Sequence, residues 1–129
     1  MGFRFLVVDR DTELTGSVEM MFALLGHECQ SIDNPKGLRK QFAKYRPNIV
    51  FLEIRDDNMR ALDLLIKMRK KYSDRNWISF LVLSHAYPMD QVKEWLHATF
   101  SDGVVMKPYR VTTLLRLVER RIRKMQIVL

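Results

Sequence analysis

The chain has 129 residues, a formal charge of +7 and 47% hydrophobic residues distributed along its length, which suits one packed domain over 1–129 and excludes a disordered tract. No apolar run approaches the ~18 residues of a membrane span. The start, Met1-Gly2-Phe3-Arg4, lacks the features of a signal peptide, and Leu6 stands where a myristoylated Gly2 would want Ser or Thr, so a cytoplasmic, membrane-free protein is expected. Phe3–Val8 is a short apolar run that predicts a strand covered on both faces. Asp9-Arg10-Asp11-Thr12 offers caps for a helix carrying Leu14, Val18, Met21, Phe22 and Leu25, which Gly26 stops. His27–Ile32 is a weaker strand, and Asp33-Asn34-Pro35 opens a helix with Leu38, Phe42 and Tyr45 before Pro47. Asn48–Ile54, β-branched and aromatic, is the strongest strand signal. After a charged loop, Leu62, Leu65, Ile66 and Met68 mark a third helix, and Trp77–Leu83 a fourth strand. Pro88 begins a helix with Val92, Trp95 and Leu96 on its apolar side. Gly103–Met106 is a fifth strand, broken by Lys107-Pro108, and Val111–Met125 a long helix striped with Leu114, Leu115, Val118 and Ile122. The apolar end, Gln126–Leu129, suits a last helical turn, a docking tail or the cut edge of a longer protein.

Five strands alternating with five helices predict an α/β fold, a doubly wound parallel sheet between two helix layers. In such sheets ligands bind beyond the carboxyl ends of the strands, where the strand order reverses. The loops converging there begin at Asp9, Glu53, Ser84 and Lys107. None of them is glycine-rich, which argues against a dinucleotide or P-loop site. Cys29, the sole cysteine, cannot form an internal disulfide and reads as a buried, inert thiol. Basic residues crowd into 39–46, 67–75 and 110–124, expected on solvated helix faces.

LVVDRD, VFLEI, LVLSHA and VVMKPY, in this order on these strand ends, resemble the motifs of response-regulator receiver domains of the chemotaxis-regulator type. The resemblance covers essentially the whole chain and implies a flavodoxin-like (βα)5 fold. In that family an acid pair and a phosphoacceptor Asp hold Mg²⁺, and a Ser or Thr and a Lys grip the phosphoryl product. Asp9 then matches the first acid, Glu53 the acceptor, Ser84 the switch hydroxyl and Lys107 the lysine. Two departures change the electrostatics. Glu53 carries its carboxylate roughly 1.5 Å further than Asp would, and misplacement by about 1 Å can cost ~100-fold in rate. Arg10 replaces the second acid and repels a divalent cation. It is expected to fork onto Glu53 or Asp9. Glu53 is expected to pair with Lys107, in the sharper version as a longer anion reaching towards Lys107 and Ser84 in place of phospho-aspartate. Asp11 reads as a helix cap rather than a metal ligand, and Asp56 and Asp57 as solvated loop carboxylates. If Mg²⁺ binds at all, Asp9, Asp11 and Glu53 would hold it.

His85, where the family has a small residue, is expected to crowd the pocket or simply to be exposed. Val104 stands where the family has a switch aromatic, so the usual coupling of hydroxyl and ring is not expected. These departures point to an atypical receiver, a pseudo-receiver working as a phosphorylation-independent protein–protein interaction module without cofactor, rather than an enzyme. The alternative is a functional Mg²⁺-dependent phosphoacceptor of a two-component system. The implied partner surface, for a signalling protein or a second copy, is the fourth helix, fifth strand and fifth helix, presenting Trp95, Tyr109, Arg110, Arg116 and Arg120. A nucleic-acid surface from Arg116, Arg120, Arg121, Arg123 and Lys124 is disfavoured, because these side chains spread around the helix.

Overall fold

Alternation of strand and helix requires the chain to wind around a sheet, and it does. The computed structural model describes residues 2–55 and 59–128, with side chains through Lys124; Asp56 and Asp57 lie outside the described residues. The strands are β1 (Arg4–Val8), β2 (Glu28–Ile32), β3 (Ile49–Ile54), β4 (Ile78–Leu83) and β5 (Gly103–Met106). They alternate with α1 (Thr12–Leu24), α2 (Leu38–Tyr45), α3 (Arg60–Lys71), α4 (Met89–Thr99) and α5 (Val111–Val128), and a 3₁₀ turn over Pro35–Gly37 precedes α2.

All pairings are parallel, in the order β2-β1-β3-β4-β5. The chain moves one way from β1 to β2 and then the other way, from β2 past β1 to β3 and on to β4 and β5. Right-handed crossovers therefore put α1 on one face and α2, α3 and α4 on the other. Two cores result. Leu6, Val8, Leu38, Val50, Leu65, Leu81 and Val92 belong to the α2–α4 side. Phe5, Val18, Phe22, Phe51, Phe80, Leu114 and Val118 belong to the α1–α5 side. On that side Phe22, Phe5, Phe51 and Phe80 form a stacked row, with centroids 4.1, 6.1 and 5.3 Å apart. Every residue of β3 and β4 is buried, as parallel strands covered on both faces must be.

Local signals act as the sequence suggested. Asp11 caps α1 by accepting from Leu14 N–H at 3.1 Å, Gly26 takes φ +86° after it, and Asn34 caps the 3₁₀ turn through Lys36 N–H at 2.9 Å. Two helix faces differ from expectation. Met21 and Leu25 of the α1 stripe are 38% and 46% exposed, because Val18 and Phe22 take the sheet-facing positions. Arg69, one of the cations expected in water, is instead inserted between elements. Its Nε donates to Thr99 O at 3.2 Å, Nη1 to Trp77 O at 3.0 Å and Nη2 to Ser79 Oγ at 2.9 Å. Its guanidinium lies 3.5 Å from the Trp77 ring centroid. Arg69→Ala would leave the Thr99 and Trp77 carbonyls without this donor, while the Ser79 hydroxyl keeps Ser101 Oγ at 2.9 Å, so a loss of about 2–4 kcal/mol in urea unfolding is expected. Arg69→Lys is expected to restore little, since an ammonium cannot reach three acceptors through a planar fork.

Candidate functional site

The order reverses between β1 and β3, and their carboxyl ends deliver Asp9 and Glu53 side by side. Lys107 arrives from the end of β5, its N–H held by Leu83 O at 2.9 Å. Its ammonium reaches across to both acids. Nζ donates to Asp9 Oδ1 at 2.9 Å and to Glu53 Oε2 at 2.6 Å, and lies 2.7 Å from Asp9 Oδ2. The two carboxylates are nearly inaccessible, with side chains 1% and 5% exposed, whereas Lys107 is 17% exposed. One cation therefore serves two buried anions. Asp9 also accepts from Asp11 N–H at 2.9 Å, and Glu53 Oε1 faces the Arg10 N–H at 3.5 Å.

Burial pushes the Asp9 carboxyl above the usual carboxylate range; Lys107 and the Asp11 amide offset only part of this, and the nearby Glu53 charge adds to it. Burial by itself would lower the Lys107 ammonium, but its hydrogen bonds to Asp9 and Glu53 and their attraction outweigh burial and raise it.

The geometry corrects two expectations and, for His85, selects exposure over crowding. The Arg10 guanidinium does not fork onto either acid: the side chain is exposed and, among the described residues, makes no ion pair. Arg10 sits in the bend after β1, where its guanidinium stays hydrated while Asp9 turns inward to Lys107. The cation paired with both acids is the Lys107 ammonium. Glu53 reaches Lys107 but not Ser84, whose Oγ is buried and makes no hydrogen bond among the described residues. His85 is exposed and does not line the cleft beside Glu53. That cleft encloses only about 10 Å³ between Val8, Asp9, Arg10, Asp33, Pro35, Glu53 and Arg55, about enough for one water. Asp33 and Arg55, which follow β2 and β3, were not among the residues singled out from the sequence. The rule that sites gather at strand carboxyl ends would have found both.

The described residues do not fit Mg²⁺. The two inward carboxylates share an ammonium, Asp11 is engaged as a cap, and Arg10 occupies the remaining acidic position. Among the described residues no group of three or more acidic, His or Cys side chains is placed to hold a metal ion.

The chain is similar to the CheY-like response regulator receiver domain protein of Methanospirillum hungatei JF-1, with a TM-score of 0.82 at 20% identity over 98% of each chain. A chemotaxis protein of Vibrio cholerae gives 0.80 at 17%, over 93% of this chain and 98% of that one. The fold is that of a response-regulator receiver domain. NtrX of Brucella abortus shares the receiver fold over 98% of this chain but only 28% of its own, with a TM-score of 0.78 at 19% identity. An uncharacterized 76.5 kDa protein of the phbC 3′ region in Thiocystis violacea is 26% identical over 121 residues, 94% of this chain. The chain spans 17% of that protein's length. No family model matches.

On this receiver fold, the surface of α4, β5 and α5 differs in part from the one expected. Trp95 is 9% exposed and stacks edge-on against Tyr87 at 5.0 Å in the core, so it is not an exposed anchor. Val92, Trp95 and Thr99 share the buried stripe of α4. Tyr109 is half-buried against the α1–α5 core, and its phenol is pushed up chiefly by that burial. Arg110, Arg116 and Arg120 are exposed, and beside α4 the β5 residues Val104 and Met106 are 37% and 46% exposed. Of the cations considered for nucleic acid, Arg121 is held by Asp102 at 2.5 Å and Arg123 lies 4.0 Å from Glu119. Cys29 is half-buried, with its thiol pushed up to about 12 by burial. Among the described residues no helix is long and apolar enough to cross a membrane.

Proposed function

We propose that the chain is a pseudo-receiver: a cytoplasmic signalling domain that engages a protein partner without being phosphorylated. The observation that carries this reading is the ammonium of Lys107 within 2.9 Å of both Asp9 and Glu53. In this arrangement the anion at the acceptor position is already neutralised by the cation that would otherwise grip a phosphoryl product. The acceptor oxygen is engaged, and the adjoining cleft of about 10 Å³ leaves no room for a metal ion and a phosphoryl group together. The pairing of Glu53 and Lys107 then holds one signalling state permanently. Val104, without an aromatic ring, gives the switch hydroxyl of Ser84 nothing to rotate. The partner surface is the exposed part of α4, β5 and α5, with Val104 and Met106 as apolar contacts and Arg110, Arg116 and Arg120 as cations; the same face would serve a second copy.

Incubation with acetyl phosphate and Mg²⁺ followed by intact-mass measurement tests the reading. An unchanged mass is expected. Addition of one phosphoryl group, abolished in Glu53→Gln, would establish the phosphoacceptor instead.

A further inference from the structure

On the α2–α4 side, next to the cleft at Glu53, a groove of about 1100 Å³ runs between the start of α2 and the start of α3. Its described walls are strongly basic. Lys36 and Arg39 line one side, Arg60 and Lys67 the other, and Arg55 reaches it from the end of β3. Only one carboxylate, Asp63, is among the described lining residues. Arg60, Asp63, Leu64 and Lys67 fall at i, i+3, i+4 and i+7, so they share one stripe of α3 and face the groove together. Among the described residues, Lys36, Arg39, Arg60 and Lys67 make no ion pair. Pro35, Met59 and Leu64 supply apolar lining between these cations.

Unpaired like charges around a concavity repel one another, and an anion bound between them removes that repulsion. Two of these four cations, Arg39 and Arg60, are arginines, whose planar forks suit the oxygens of a phosphoryl group. The volume lies just above the usual range for small-molecule sites, and apolar patches among convergent polar groups are their usual lining. A nucleic-acid duplex would call for an extended basic stripe, and an acidic peptide has no use for the apolar lining at this size. We propose that this groove binds a small anionic ligand carrying two or more phosphoryl groups, of the size of a nucleotide. Because Pro35 and Arg55 line both the groove and the cleft at Glu53, its occupant lies against the receiver site itself.

Calorimetric titration of the full chain with ATP and, separately, with tripolyphosphate tests this at low and moderate salt. At least one is expected to bind saturably with a stoichiometry of one; tighter binding of ATP would show that the apolar lining contacts the base. Arg39→Glu/Arg60→Glu is expected to weaken binding by about a hundredfold, on the order of tenfold per phosphate contact reversed. Arg116→Glu/Arg120→Glu, the same charge change on α5, is expected to leave it unchanged, and circular dichroism shows whether each variant is folded. The proposal is overturned by absence of saturable binding to both compounds, by equal weakening in the two variants, or by a poly-glutamate peptide binding more tightly than either. These results are independent of whether Glu53 accepts a phosphoryl group.

Discussion

Lys107→Met is expected to lower the unfolding free energy at neutral pH by about 3–5 kcal/mol, the cost of leaving buried charge without its counter-ion. The methionine keeps the length and packing of the lysine stem, so the loss reports the ammonium. Two carboxylates, 1% and 5% exposed, would then face each other with only amide donors for relief. The sign of the pH dependence follows. Without Lys107, Asp9, already raised by burial, binds its proton still more tightly in the folded than in the unfolded chain, so the variant regains stability as pH falls towards the carboxylate range. Urea unfolding of variant and wild type at several pH values should show the gap narrowing on acidification. In the wild type the raised Lys107 contributes stability that is complete below its ordinary value of 10.5 and is lost as pH rises through its higher folded value. A loss under about 1 kcal/mol at neutral pH would mean that the ammonium and the acids are not coupled in solution.

The second large effect concerns the metal. Arg10→Asp/Glu53→Asp is expected to bind Mg²⁺ at least about tenfold more tightly than the wild type, with neither single variant reaching the same affinity. Reversing Arg10 changes the local charge by two units, and shortening Glu53 withdraws its carboxylate from Lys107 and opens space for oxygen ligands. Isothermal calorimetry of the four proteins measures it. Equal affinity in Arg10→Asp alone would assign the whole effect to charge and none to the length of Glu53.

Much of this was legible in the sequence because local and global signals agree. NIVFLEI and WISFLVL are nearly continuous runs of β-branched, aromatic and leucine side chains, the pattern of a parallel strand covered on both faces. The strand ends then place Asp9, Glu53, Ser84 and Lys107 without further information. The pairing of Glu53 with Lys107 was legible too; what sequence could not give was that the same ammonium also holds Asp9 while Arg10 joins neither acid. Arg10 is the nearer in sequence and Lys107 is 98 residues from Asp9, but side-chain direction at the strand end, not proximity along the chain, decides the pairing. Trp95 is a different failure. Its spacing with Val92 already marked it as part of the apolar side of α4, and its large ring was set against that evidence as an interface anchor. Arg69 carries no local mark at all. It sits in a run of cations, and only the meeting of α3, β4 and α4 supplies its three acceptors.

The central claim, that Lys107 has closed the receiver site to metal and phosphoryl groups, is tested most directly by adding Mg²⁺ and beryllofluoride to the ¹⁵N-labelled chain. The account predicts amide resonances of Glu53, Ser84 and Lys107 that do not move beyond the effect of ionic strength. Saturable shifts at those three residues, dependent on both additives, would contradict it.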